Sequence, residues 1–353
     1  MRHRIAIETA ALVVLFSVVF CQCALAGKQP PLKGETAAKP PQDPGSGGAR
    51  HGKVDKKMVG DGSDGYWLFL PDDPTPKEAP VVLFLHGWRG TNPHDYGGWI
   101  DHIVRRGNIV IYPIYESGSF SEEPEKMMES AIKSTKAAIE SLKKSGSVKP
   151  QLDQFAIVGH SLGGGLTAQI AARAEKAGLP VPKALMPSQP GWRGGDTIPV
   201  DKLSQIPATA LVLVVVGDED QFGKTRQGKP IFAALGHIPK DHKRYVIIPT
   251  DNHGNPPLLA DHSSPLSPRD DYGKALTSDQ ERRRKTVGAI TGMREGVVDA
   301  LDFNGYWKLF DSLCDAAFAG RTIDAVIGSP EQLSLGKWSD GTPVKPMVET
   351  LDP

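Results

Sequence analysis

The pattern Gly-His-Ser-Leu-Gly places Ser161 between two glycines, Gly159 and Gly163. It directly follows a short apolar run, residues 155–158, and directly precedes a helical pattern. A serine on a sharp turn between a strand and a helix has a strained backbone, and flanking glycines allow the two elements to pass closely. The N–H groups at the start of the helix favour negative charge at the same place. The pattern predicts a nucleophile at Ser161; the alternative is a glycine-rich loop in which this serine caps the helix.

A serine hydroxyl needs a base that accepts its proton, and the base needs a carboxylate that orients it. Among the ten histidines, His253 follows the apolar run 245–248 most directly, so we expect it at the carboxyl edge of the sheet and assign it as the base. His262 is the alternative base, although no strand directly precedes it. His160 neighbours the serine, and on a sharp turn we expect its side chain to face elsewhere, where it packs or forms hydrogen bonds.

Acidic residues follow another apolar run, residues 211–216. We choose Asp220 as the orienting carboxylate, because a position a few residues beyond the strand lets the loop turn toward the histidine. Asp218 is the second choice and Glu219 the third. The order Ser, Asp, His along the chain is the one expected for a nucleophile on such a turn. A solvated turn that begins at Gly217 is the alternative to a catalytic role.

Attack on a carbonyl produces an oxyanion, which needs hydrogen-bond donors. One expected donor is the N–H of Leu162, next to the nucleophile, and the other is the N–H of Trp88, in the loop after the apolar run 81–85. Each donor typically stabilises the transition state by about 3 kcal/mol. We expect His86 in the same loop to be structural.

Three aromatic residues lie in or shortly after that loop. Trp88, Tyr96 and Trp99 are candidates to line an apolar pocket for the acyl or alcohol group of a substrate. The alternative is that all three pack in the core.

The elements that must position these residues alternate between strands and helices. Short apolar runs rich in β-branched residues suit strands that are buried on both faces. The clearest helix has Met128, Ile132, Ile139 and Leu142 on one face. The sequence therefore predicts an α/β fold with a doubly wound, mostly parallel sheet and helices on both faces. The predicted strands are 66–70, 81–85, 109–112, 155–158, 211–216 and 245–248.

These segments resemble the α/β-hydrolase superfamily, and among its members the esterase-like group around dienelactone hydrolase, chlorophyllase and the cutinase-like polyesterases. The matching segments are 83–88, 158–164, 217–220 and 252–254, so the resemblance spans about residues 66 to 255. It implies a serine hydrolase that acts through an acyl-enzyme and needs no metal. The segment from about 256 to 353 is longer than the helix that usually ends a minimal hydrolase.

Composition excludes several other classes of protein. Lys and Arg together number 41, as do Asp and Glu, and this balance argues against a nucleic-acid-binding protein. The chain contains no H-E-x-x-H motif and no dinucleotide or P-loop fingerprint. We therefore expect no cofactor and no metal, and a small-molecule or polymeric ester as substrate. Because two of the three cysteines precede residue 26, Cys314 would stand alone in a cleaved chain, as a small buried hydrophobe.

The N-terminus has the features of a secretory signal peptide. Arg2 and Arg4 precede an apolar run over residues 10–20, and Ala24-Leu25-Ala26 places small residues at a cleavage site. The run is too short for a membrane span, which needs about 20 apolar residues. We expect cleavage after Ala26 and a secreted or periplasmic protein without a stable membrane span. Residues 27–56, rich in Pro, Gly and Lys, would form a flexible linker to a single domain over 57–353.

Two stretches after the predicted histidine loop have less specific patterns. Residues 255–273 contain four prolines and predict an irregular loop, which either covers the pocket or is a surface insertion. The basic run 282–285 favours a solvated helical face over an anion-binding surface. The sequence as a whole predicts a secreted ester hydrolase. The alternatives are a serine peptidase or amidase on the same fold and, less favoured, a non-catalytic binding protein.

Overall fold

A computed structural model describes residues 38–42, 48–116, 123–145, 147–192, 197–220, 227–274 and 294–353. Ala38–Pro353 form one compact unit. The predicted signal peptide, residues 1–26, and the basic run 282–285 lie outside the described residues, as does most of the predicted linker. Among the helices that are described, none is both long enough and apolar enough for a membrane span.

The described strands form one nine-stranded sheet in the order β1-β2-β4-β3-β5-β6-β7-β8-β9. Strands β4, β3, β5, β6, β7 and β8 run parallel to one another, whereas β1 and β2 on one side and β9 on the other pair antiparallel. Their bounds are Lys53–Val59 (β1), Tyr66–Asp72 (β2), Glu78–Leu85 (β3), Ile109–Pro113 (β4), Lys149–His160 (β5), Ala184–Ser188 (β6), Leu211–Gly217 (β7), Lys243–Ile248 (β8) and Val348–Thr350 (β9).

Helices cover both faces of this sheet, so the predicted α/β architecture with a mostly parallel sheet is confirmed. Helices α1 and α6 pack on one face, and α2, α3 and α5 pack on the other. The helix bounds are Gly97–Arg105 (α1), Pro124–Ser145 (α2), Leu162–Ala171 (α3), Ala174–Ala177 (α4), Lys229–Ala233 (α5), Trp307–Phe318 (α6), Asp324–Ile327 (α7) and Pro330–Leu333 (α8).

The central strands are buried on both sides because their side chains are apolar on both sides. All seven residues of β7 are buried, for example. Strand β1 instead alternates exposed and partly buried positions, as expected for an edge strand. Its start at Lys53 shows that residues 53–56 belong to the sheet, so the predicted linker 27–56 is wrong at its C-terminal end. The sequence was misleading here because polar residues alternate along this edge strand, which gives it a composition similar to that of a linker.

The C-terminal segment contributes both to the core and to the edge at which the site lies. Helix α6 buries Cys314, whose thiol is free, and burial raises the pKa of this thiol. Further on, Trp338 donates a hydrogen bond from Nε1 to Asp251 Oδ2 over 3.1 Å. The tail therefore packs directly against the loop that follows β8.

Candidate active site

Ser161 lies on the sharp turn between β5 and α3, with φ 56° and ψ −123°. This left-handed conformation is rare for a residue with a side chain and fits a strained nucleophile turn. A Cβ at Gly159 would overlap with Gly163 O, and one at Gly163 would overlap with Leu85 O. Both glycines are therefore required by the close approach of β3, β5 and α3. The Ser161 side chain makes no capping hydrogen bond, which contradicts the alternative of a helix cap.

The hydroxyl of Ser161 meets the imidazole of His262. The distance from Ser161 Oγ to His262 Nε2 is 2.8 Å, and His262 Nδ1 lies 3.0 Å from Asp220 Oδ1. Asp220 is buried and the His262 side chain is 9% exposed. Nδ1–H donates to the carboxylate, which leaves Nε2 as the acceptor for the serine proton. The three side chains thus form a continuous chain of hydrogen bonds from carboxylate to hydroxyl.

His253, the base assigned from sequence, does not lie beside Ser161, so that assignment is wrong in its geometry. Its Nε2 lies 2.7 Å from Asp340 Oδ2, and its side chain is 39% exposed. This hydrogen bond lowers the pKa of Asp340 to about 2. The residue that reaches Ser161 is His262, the alternative base.

The path of the chain after β8 explains this difference. The loop leaves the sheet and returns, and a β-bridge between Asp251 and Leu258 closes the excursion. After it, Ala260 N–H donates to Thr250 Oγ1 over 3.0 Å. His262 is therefore brought back to the end of β8, although many residues separate it from that strand. The sequence carried a usable signal, because both histidines follow β8 and the Ser, Asp, His order fits either one.

The acidic residues after β7 have different positions. Asp220, chosen from the sequence as the carboxylate that orients the base, contacts His262 and not His253. Asp218, the second choice, accepts a hydrogen bond from Thr250 N–H over 2.8 Å and so connects the ends of β7 and β8. Glu219, the third choice, donates its N–H to Ala260 O over 3.3 Å. Two hydrogen bonds, one at Asp218 and one at Glu219, therefore hold the loop after β7 against the loop after β8 just before the contact between Asp220 and His262.

The histidine loop is also held from its outer side. Arg294 donates from Nε to Asp261 Oδ2 over 2.8 Å and from Nη2 to Leu259 O over 3.0 Å. Both acceptors lie within three residues of His262 in sequence. Arg294 belongs to the C-terminal segment, so this segment contributes to the position of His262. The sequence did not identify Arg294, because it follows no strand and matches no motif.

The loop after β3 lies against Ser161. A Cβ at Gly87 would be 3.2 Å from Ser161 Cβ. Within this loop, Gly87 N–H donates to the Tyr96 hydroxyl over 2.8 Å, and Arg89 N–H donates to both carboxylate oxygens of Glu116 at 2.9 and 2.8 Å. Both of these N–H groups are therefore bound by acceptors within the protein. The Trp88 side chain between them is 44% exposed.

Leu162 is the first residue of α3 and lies directly after the nucleophile. The first N–H groups of a helix have no acceptor within the helix, and they favour negative charge nearby. A Cβ at Gly191 would be 3.4 Å from Leu162 N and 3.1 Å from Ser161 Oγ, so the backbone closes one side of this space. Leu162 thus occupies the position in which an oxyanion donor is expected.

Tyr96 and Trp99 do not line a pocket, which corrects the sequence-based suggestion. Trp99 is fully buried in the core, and its ring meets Phe84 edge-on with centroids 5.4 Å apart. Tyr96 is buried as well, and its hydroxyl lies 2.9 Å from His160 Nδ1. Helix α1 turns its apolar face toward the sheet, so Trp99 faces the core rather than the substrate side.

His160 and His86, for which the sequence predicts packing or structural roles, are both buried and hydrogen-bonded. His160 Nε2 lies 2.8 Å from His262 O and must donate to it, so Nδ1 accepts from the Tyr96 hydroxyl. Burial lowers the pKa of His160 to about 3, so the ring is neutral. His86 stacks on Tyr115 at 4.0 Å and donates from Nδ1 to a backbone oxygen. Burial also lowers the pKa of His86, to about 4.

The described ranges contain no group of three or more His, Cys, Asp or Glu side chains arranged to hold a metal ion. The polar groups at the candidate site are occupied with one another in the Ser161–His262–Asp220 chain of hydrogen bonds. Such an arrangement suits proton transfer between a serine and a histidine.

Comparison with known proteins adds to this geometry. Residues 67–190 match the family model Chlorophyllase, which is roughly a third of the chain. The Chlorophyllase family is a member of the α/β-hydrolase superfamily, and the α/β architecture of the chain is consistent with that fold. The part of the chain that matches contains the loop after β3 and Ser161, whereas Asp220 and His262 lie beyond it. No curated protein matches the sequence. The family match indicates a hydrolase that cleaves esters.

Proposed function

We propose that this α/β-hydrolase is a serine hydrolase that cleaves carboxylic esters through an acyl-enzyme. The observation that carries the proposal is the pair of hydrogen bonds that joins Ser161 to His262 and His262 to Asp220, at 2.8 and 3.0 Å. The strained backbone at Ser161 and the ester-cleaving family indicated by residues 67–190 support it. His262 takes the role that the sequence had assigned to His253.

In the first half of the reaction, Ser161 Oγ attacks the carbonyl carbon of the ester while its proton passes to His262 Nε2. Asp220 holds the ring in the tautomer that leaves Nε2 free to accept this proton. The new C–O bond places negative charge on the carbonyl oxygen. The N–H groups of Leu162 and Trp88 are our proposed donors to that oxygen, each stabilising the transition state by about 3 kcal/mol.

His262 then gives its proton to the alcohol oxygen as the bond from carbon to that oxygen breaks. The acyl group remains on Ser161. Water attacks the acyl carbon and gives a proton to His262 Nε2, and the proton returns to Ser161 Oγ as the carboxylic acid leaves. The substrate is a small-molecule or polymeric ester in this proposal, and the reaction needs no cofactor.

Export is part of the same proposal. The composition of residues 1–26 supports a signal peptide cleaved after Ala26 and a secreted or periplasmic location. N-terminal sequencing of protein recovered from the host should find Gly27 as the first residue. A mature protein that begins at Met1 would contradict export by cleavage.

The test of the chemistry is the Ser161→Ala variant. We expect it to lose at least about a thousandfold of turnover on a p-nitrophenyl ester, because the nucleophile is removed. A fluorophosphonate probe should label the parent at Ser161 and leave the variant unlabelled. The matched control is Ser134→Ala on α2, which removes a buried hydroxyl that donates to Asp64 O, away from the site. Equal turnover in Ser161→Ala and the parent would refute the proposal.

The same assay separates the alternatives. A peptidase or amidase on this fold would cleave an aminoacyl anilide at least as well as the corresponding ester. A binding protein without catalysis would leave Ser161 unlabelled by the probe. An ester panel of graded acyl length, run beside the Ser161→Ala variant, would then define the substrate class.

A further inference from the structure

One short segment, residues 188–191 at the end of β6, holds the backbone of Ser161 from two sides. Ser161 N–H donates to Ser188 O over 3.2 Å, and Gly191 N–H donates to Ser161 O over 2.7 Å. Between these two contacts lies Gln189, whose own N–H donates to Val215 O over 2.7 Å. The segment is therefore fixed to β7 and to the turn that carries Ser161.

The side chain of Gln189 extends from this segment to the histidine loop. It is fully buried, and its Nε2 lies 2.6 Å from Asp261 O, the carbonyl directly before His262. The same Nε2 is 2.6 Å from Ser264 Oγ and 2.6 Å from the Tyr306 hydroxyl. Burial raises the pKa of Tyr306, so its hydroxyl is neutral. The Gln189 amide therefore contacts the loop on both sides of His262.

Two features of Gln189 indicate that this contact has a purpose beyond packing. Its φ is 44°, a left-handed conformation that residues with a side chain rarely adopt. Its buried Oε1 also has no hydrogen-bond partner within the described part of the chain. A buried acceptor without a partner is destabilising, and an apolar residue of the same size would avoid this cost. Strained and unsatisfied groups persist where the surrounding structure uses them.

We propose that Gln189 is a positioning residue that sets the distance between His262 and Ser161. The inference rests on the proposed serine hydrolase. One end of the residue belongs to the segment that holds the Ser161 backbone, and its other end binds the carbonyl before His262. Because the histidine loop returns from an excursion beyond β8, the strand itself does not define where His262 lies. Gln189 connects that returning loop to the nucleophile turn through a single side chain.

The test compares two substitutions at this position with a matched control. Gln189→Met keeps the size of the side chain and removes both N–H donors, and Gln189→Asn keeps the amide but withdraws it from Asp261 O. The control is Gln169→Met, which replaces another buried glutamine, on α3, whose amide donates to Pro199 O and not to the histidine loop. The measurements are kcat and KM on a soluble p-nitrophenyl ester, the thermal midpoint, and the NMR signal of the His262 Nδ1 proton.

We expect kcat to fall on the order of a hundredfold in both Gln189 variants, since a misplacement of about 1 Å can cost that much. KM should stay within about twofold of the parent, because no contact with the substrate is removed. The downfield signal of the Nδ1 proton, which reports its bond to Asp220, should weaken or disappear. Gln169→Met should keep the kcat, the KM and the Nδ1 signal of the parent. If the methionine variant does not fold, the asparagine variant supplies the same comparison.

Two results would overturn the inference. A Gln189→Met protein with the kcat and imidazole signal of the parent would show that the amide does not position the base. If kcat fell no further in the Gln189 variants than in Gln169→Met, and the Nδ1 signal stayed intact, Gln189 would be only a packing residue. Failure of the proposed function gives a different result: the parent itself would not react with the fluorophosphonate probe, and the positioning role would fall with it.

Discussion

His253 Nε2 and Asp340 Oδ2 are 2.7 Å apart, which joins the loop after β8 to the C-terminal tail. The His253 ring also lies beside Trp338, with centroids 5.7 Å apart. His253 and His262 belong to the same loop, and the structure gives them different partners. His253 holds the tail, and His262 faces the serine. Substitution of each should therefore give a different result.

His262→Ala should lower kcat by at least about a thousandfold, because the base and its link to Asp220 are both lost. His253→Ala should keep kcat within a few-fold of the parent and lower the thermal midpoint slightly, because an exposed hydrogen bond between side chains contributes little to stability. The measurement is turnover of a p-nitrophenyl ester together with a thermal unfolding curve for each variant. The reverse ranking of the two variants would restore His253 as the base.

The contrast between these histidines shows what the sequence could predict. Ser161 and Asp220 lie within a few residues of the ends of β5 and β7, so recognising the strands was enough to place them at one edge of the sheet. His262 comes after an excursion closed by the bridge between Asp251 and Leu258, a long-range pairing that no local pattern reveals. A rule based on adjacency to a strand therefore selected His253.

The aromatic residues show a second limit of the sequence. The spacing of apolar residues predicts that a helix such as α1 has a buried face, but it does not say whether that face meets the core or a substrate. Trp99 meets the core. The Tyr96 hydroxyl contacts Gly87 N–H and His160 Nδ1, next to Ser161. Only the packing of the loop after β3 brings it there.

Tyr96→Phe tests whether that hydroxyl supports the proposed oxyanion site. The change removes the acceptor of Gly87 N–H and the donor to His160 Nδ1, both buried, so the loop after β3 and the support of His262 loosen together. We expect kcat to fall about tenfold with little change in KM, since positioning of the transition-state donors is affected.

The control for this variant is Tyr272→Phe. It removes another buried tyrosine hydroxyl, which donates to Asp101 Oδ1 over 2.8 Å and does not contact the loop after β3. An equal fall of kcat in the two variants would mean that the effect of Tyr96 is general destabilisation.

Two buried histidines should make the folded protein sensitive to acid. Burial lowers the pKa of His86 to about 4 and that of His160 to about 3, below the ordinary value of 6.5. Between pH 6.5 and these values the unfolded chain binds protons that the folded chain excludes. The free energy of unfolding should therefore fall as the pH drops below 6.5. His86 alone would contribute up to about 3 kcal/mol of this loss, at about 1.4 kcal/mol for each pKa unit.

His86→Asn isolates that contribution. The amide can still donate to Gly87 O, but it does not titrate, and the stacking on Tyr115 is lost. We expect the variant to be less stable than the parent at pH 8 and to lose less stability between pH 6.5 and 4. Urea unfolding at a series of pH values measures both quantities. Parallel curves for the two proteins would show that His86 does not contribute to the acid sensitivity.

A substitution at Gly254 tests how closely the histidine loop packs against Ala38 and against Trp338 in the C-terminal tail. A Cβ at this position would overlap with Ala38 O and with the ring of Trp338, and Asn255 N–H also donates to Ala38 O over 2.8 Å. Gly254→Ala should therefore destabilise the protein by about 1–3 kcal/mol, the usual cost of overpacking. Gly236→Ala is the control, because its nearest neighbour, Ala233 O, would lie 4.0 Å from the new Cβ. The urea midpoint should fall in the first variant and stay the same or rise in the second. If Gly254→Ala were as stable as the parent, the segment around Ala38 and the tail at Trp338 would not hold the loop closely.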